Sequence, residues 1–220
     1  MTATLGASRR WYLASLSLSI ACAMLAGCTP QVSEGLSSDW ARYESPGGDY
    51  TLSYPGNFAV GEFDGHDVDP EGLAFEPGDV SFVLFASDGK PSLAGGAALF
   101  SLGGEFKPSE VKLSVSIIKT SMPWDSAEEA AEFLREQNSG YAGYHERSFA
   151  PKTVDGEPAF DLVYDAEGEL TDGTKVSQTV HMLIFIHNGW TYMISAGAFT
   201  TTYDEQVDQL DRFLESVALS

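Results

Sequence analysis

Residues 180–198, VHMLIFIHNGWTYMISAGA, hold two apolar runs joined by Asn188-Gly189. Asn-Gly between alternating hydrophobic runs signals a hairpin, because a type I′ turn needs positive φ at both central residues and these two tolerate it best. Side chains alternate between the faces of a strand. Val180, Met182, Ile184 and Ile186 therefore share one face of the first strand, and Trp190, Tyr192, Ile194 and Ala196 one face of the second. Leu183, Phe185 and Met193 make the opposite faces apolar too. The stretch predicts a central antiparallel hairpin in a sheet covered on both sides.

Downstream, Val207, Leu210, Phe213, Leu214 and Val217 recur at helical steps behind a cap at Thr201 or Thr202, with Asp204 and Glu205 at the positive end. Upstream, Asp172-Gly173 and Val154-Asp155-Gly156 read as turns bounding strands at 159–165 and 144–150. A helix opens at Ser126, whose spacing to Glu129 is a capping box. It carries the apolar stripe Ala127, Ala130, Ala131, Phe133, Leu134 and stops at Asn138-Ser139-Gly140. Before it, 111–119 alternates as a strand with one exposed face, 97–102 and 80–86 are strand-like, and 61–78 is an acidic loop. Strand-like pieces at 40–43 and 50–54 flank a turn at 45–48. Successive hairpins with two helices make an α+β domain over 40–220, without internal repeats.

The first 27 residues stand apart from that domain. Arg9 and Arg10 precede an apolar stretch from Leu13 to Leu25 that is short for a membrane span, and Leu25-Ala26-Gly27-Cys28 closes it. The segment resembles a bacterial lipoprotein signal with its lipobox. That resemblance implies cleavage before Cys28 and a diacylglycerol on its thiol, with an ordinary secretory signal as the alternative. Ser8-Arg9-Arg10-Trp11-Tyr12-Leu13 also resembles a twin-arginine motif, and export by that route or by Sec stays open. Residues 28–39 are polar and read as a tether. The expected location is the extracytoplasmic face of a cell membrane, held by lipid.

Twelve basic against 32 acidic residues give a net charge of −20, and loss of the two signal arginines takes it to 10 − 32 = −22. Such a field disfavours nucleic acid and anionic lipid heads. Of two cysteines, Cys22 leaves with the signal and Cys28 is taken by lipid, so no thiol is left for a disulfide, a zinc site or a nucleophile.

Candidate sites are few. Asp64, His66, Asp67, Asp69 and Glu71 form a polar cluster in which Asp67-Val68-Asp69-Pro70-Glu71-Gly72 resembles the first half of a calcium loop, but the twelfth position is Gly78 where a bidentate Glu is needed. A divalent cation such as calcium or manganese is the expected ligand if the loop binds one. His181 and His187 lie six apart on one strand, roughly 20 Å, and read as structural histidines near the strand ends. Asp161 and Asp165 could pair with other acids across the sheet. There is no G-x-S-x-G elbow, and Gly95-Gly96 and Gly103-Gly104 lack the G-K-[ST] context of a phosphate cradle. Trp124, Tyr141 and Tyr144, with Phe149, gather in sequence around the first helix, either as a partner-binding patch or as packing beneath it.

Three strings carry a family resemblance. Residues 50–58 (YTLSYPGNF), 153–162 (TVDGEPAFDL) and 189–196 (GWTYMISA), the last followed by a helix ending in Glu215-Ser216-Val217, resemble the PsbP-like family, which includes lipoproteins of the LpqN and DcrB type. The resemblance implies an α/β/α sandwich around a central antiparallel sheet, and a non-catalytic protein. It supplies no active-site residues, and 61–104 is an enlargement relative to the family. The expected function is a lipid-anchored envelope module that binds or helps assemble a protein partner. A metal- or solute-binding lipoprotein using loop 61–78 is the alternative, and an envelope hydrolase a third.

Overall fold

The computed structural model describes residues 40–64, 80–87, 113–122, 124–170 and 172–220. The signal and tether, the strand expected at 97–102 and most of the acidic loop lie outside them. In chain order the elements are strands β1 (Trp40–Glu44), β2 (Tyr50–Pro55), β3 (Ala59–Asp64), β4 (Val80–Ala86) and β5 (Leu113–Thr120), helix α1 (Ala127–Asn138), strands β6 (His145–Val154), β7 (Glu157–Glu169), β8 (Lys175–His187) and β9 (Trp190–Phe199), helix α2 (Tyr203–Glu215) and strand β10 (Ala218–Leu219).

The Asn-Gly hairpin is β8–β9. Asn188 and Gly189 have φ of 51° and 77°, and His187 pairs directly with Trp190, the geometry of a two-residue type I′ loop. Its register sets Phe185 opposite Tyr192, and their rings stack at 5.0 Å with 6° between planes. Asp155 and Gly156, with φ of 49° and 90°, turn the chain between β6 and β7 in the same way. Seven strands form one antiparallel sheet in the order β3-β4-β5-β9-β8-β7-β6, so β9 is its middle strand.

Both faces of this sheet are buried, as the two-sided apolar pattern of β8 and β9 requires. On one face Ala130, Ala131 and Leu134 of α1 pack with Ile118, Leu162, Tyr164, Met182 and Ile184. On the other, Leu210, Phe213 and Leu214 of α2 pack with Phe85, Ile117, Leu183, Phe185, Tyr192 and Ile194. A second sheet shares that layer: β2 is flanked by β1 and β10, and its Tyr50 and Leu52 enter the same core. Phe85 ties the layers, meeting Tyr43 at 5.4 Å, Tyr54 at 5.2 Å and Phe213 at 5.2 Å. The expected α+β sandwich around an antiparallel sheet is therefore present, with the α2 layer made jointly by helix and small sheet.

Several local expectations are corrected. Gly61 to Asp64 belong to β3 and pair with β4, so the acidic loop begins later than its composition implied. Strand β5 has no exposed face, because β4 and β9 flank it and only Lys119 is more than marginally accessible. Phe133, counted in the apolar stripe of α1, is 39% exposed. Thr202 occupies the cap position of α2, but its hydroxyl donates back to the Phe199 carbonyl instead of accepting from the helix. Ser126 does cap α1, accepting from the Glu129 amide at 3.1 Å, while the Glu129 carboxylate accepts from the Asp125 amide at 2.9 Å.

Candidate functional site

Polar chemistry concentrates on the α2 face near the β6 edge. Val163 pairs with His181 and Asp161 with Leu183, so Asp161 and His181 are diagonal neighbours on one face. Asp161 Oδ1 lies 2.5 Å from His181 Nε2 and 3.3 Å from Lys152 Nζ on β6. The other ring nitrogen, Nδ1, is 3.4 Å from the hydroxyl of Tyr203, the first residue of α2. Burial opposes charge on Asp161, yet the hydrogen bond and charge of His181, with Lys152, hold its carboxyl below the usual range. Burial pushes the Tyr203 hydroxyl up to about 12.

Carboxylate, imidazole and hydroxyl in line have the connectivity of an acyl-transfer relay. Here the hydroxyl is the buried phenol of Tyr203, and the contacts join the start of α2 to the sheet. Asp165 continues the network, accepting from Arg147 Nε at 2.9 Å and from the Thr179 hydroxyl at 2.7 Å, while the Arg147 guanidinium lies over the Tyr203 ring. Both aspartates thus take cationic or hydroxyl partners, not the acids expected of them. His181 sits in the middle of β8, not near its end; His187 does lie at the end, 3.5 Å from Glu157.

The second cluster is the surface around α1. Trp124 precedes the helix and Tyr141 and Tyr144 follow it, so the three expected partner residues are divided between the ends of a 12-residue helix, roughly 18 Å long. All three are half-buried against the α1-side core. Tyr144 lies 5.3 Å from Tyr164 and donates to Glu146 at 3.2 Å, and burial first, then Glu146, pushes its hydroxyl up to about 12. Trp124 instead meets Phe133 at 5.6 Å. Among the described residues Phe133 is the one large hydrophobic side chain left exposed, and sequence periodicity concealed it by assigning it to the buried stripe.

Of the candidate cation ligands, Asp64 ends β3 opposite Ser81, and His66, Asp67, Asp69 and Glu71 lie outside the described residues. Among the described residues no three His, Cys, Asp or Glu side chains gather as a metal site requires. No described helix is long and apolar enough to cross a membrane.

The chain is similar to cyanobacterial PsbP (CyanoP) from Synechocystis sp. PCC 6803, with 14% identity and a TM-score of 0.48 over 89% of this chain and 99% of that one. It is also similar to the Ran-binding protein Mog1p of Saccharomyces cerevisiae, at 13% identity and TM-score 0.43 over 83% and 96% of the two chains. A third is LpqN, involved in cell envelope biogenesis of Mycobacterium tuberculosis, at 12% identity and TM-score 0.37 over 87% and 90%. The likeness is one of fold alone. No protein-family model matches the chain, and no curated protein matches it in sequence.

Proposed function

We propose that this chain is a non-catalytic, lipid-anchored module of the cell envelope that binds a protein partner through the Trp124–Phe133 surface of α1. The observation that carries the reading is Phe133, an aromatic ring left 39% exposed against Trp124 on a helix whose other large apolar residue, Leu134, is fully buried. Exposed aromatics of this kind are characteristic of the centres of protein interfaces. The Asp161–His181–Tyr203 line supports the same reading, since its groups are spent on one another and on holding α2.

The lipobox string ending in Cys28 supplies the anchor in this reading. Two measurements test it. Cys28→Ala releases the protein from the membrane fraction while leaving its circular dichroism unchanged; retention on the membrane overturns the anchor. A photo-crosslinking amino acid placed at Phe133 in cells captures a discrete, stoichiometric partner that the same probe at Asp204 on α2 does not. Equal or absent capture at both positions overturns the binding surface.

A further inference from the structure

Helix α1 turns Ala127, Ala130, Ala131 and Leu134 to the sheet and leaves Glu128, Glu129, Glu132, Phe133, Arg135 and Glu136 exposed. Glu128, Glu132 and Glu136 recur every four residues and form one row along the helix, and Phe133 follows Glu129 in the adjoining row. The helix has one cation, and it is engaged elsewhere. Arg135 places Nε and Nη2 at 2.6 and 2.9 Å from the two carboxylate oxygens of Glu146 on β6, with its guanidinium over the Phe149 ring. Among the described residues no cation forms a close ion pair with the Glu128–Glu132–Glu136 row, and Arg135 acts on Glu132 only through its field. Like charges four residues apart oppose helix formation, and an exposed aromatic ring contributes little to an isolated fold. One kind of occupant relieves both conditions.

We infer that this face docks a protein segment in which an apolar side chain is flanked by Lys or Arg, the apolar group seated on the Trp124–Phe133 edge and the cations on the glutamate row. The inference rests on the binding-module reading and adds the chemistry of the partner. The row attracts such a segment at long range and sets its register, while burial of the aromatic edge supplies the specific contact. Nucleic acid and anionic lipid are repelled by the same row.

The full-length lipidated chain, held in a neutral maltoside detergent, is titrated with a fluorescein-labelled peptide of alternating Lys and Leu blocks and with its Glu/Leu counterpart. The Lys/Leu peptide binds and the Glu/Leu peptide does not. Phe133→Ala weakens binding about tenfold, whereas Phe133→Leu, which keeps an apolar side chain, retains it. Joint Glu128→Gln, Glu132→Gln and Glu136→Gln weakens binding and flattens its salt dependence. The same number of neutralisations on α2, Asp204→Asn, Glu205→Gln and Asp208→Asn, leaves binding unchanged. If the α2 set weakens binding as much as the α1 set, or Phe133→Ala has no effect, attraction is general to this acidic chain and the inference falls. A partner crosslinked at Phe133 through a segment without Lys or Arg overturns the inference and leaves the binding reading standing. Failure of crosslinking removes the reading itself.

Discussion

His181 has both ring nitrogens engaged, Nε2 with the Asp161 carboxylate and Nδ1 with the Tyr203 hydroxyl. The carboxylate is the partner whose loss is felt most, because it also holds Lys152. Asp161→Ala strands a buried imidazole beside Lys152 and costs about 3 kcal/mol, whereas Asp161→Asn keeps an acceptor and costs about 1 kcal/mol, both read by urea denaturation. Because the folded protein holds this carboxyl below its unfolded value, its contribution is present above pH ~4 and is lost as pH falls through the lower folded value. Asp161→Asn accordingly loses stability less steeply than the native chain below pH ~4, and parallel slopes refute the assignment.

At the scale of elements, each turn and cap has a measurable share. Ser126→Ala removes the α1 cap and costs about 1 kcal/mol. Gly189→Val forces a branched side chain to φ of 77° and costs about 2 kcal/mol, with no loss of packing because nothing lies near that position. Phe85→Ala opens the junction among β1, β2, β4 and α2 and costs about 4 kcal/mol, so it lowers the denaturation midpoint more than either. These elements were legible for unequal reasons. The β8–β9 hairpin announces itself because turn chemistry and alternation agree over consecutive residues. Strand β3 did not, since Gly61-Glu62-Phe63-Asp64 is poor in β-formers and exists through its pairing with Ser81 to Leu84. Two-residue β10 likewise exists only through β2. The Asp161–His181 contact joins residues 20 apart. Yet the Asp172-Gly173 turn fixes the β7–β8 register and could have placed both on one face. Phe133 eluded the reading because helical period identifies a stripe but not where its border falls.

The whole molecule carries a net charge of −20, spread over a surface with few cations. Self-repulsion of that size opposes the compact state. Raising monovalent salt from about 10 to about 150 mM shortens the screening length from roughly 30 to roughly 8 Å. The thermal midpoint rises accordingly, by about 2–4 °C for each ~1 kcal/mol of repulsion relieved, and a midpoint that falls shows that local ion pairs dominate instead. The small sheet has a mechanical consequence. Trp40, where the described chain begins, is clamped under the Arg212 guanidinium at 4.2 Å, and β1 runs from it along β2 through five residue pairs. A chain tugged from its N-terminus loads that seam before any strand of the seven-stranded sheet. Peeling β1 away releases about 17 Å of slack on the face of the large sheet opposite α1, so under such a load the seam acts as a fuse that parts before the α1 layer is reached.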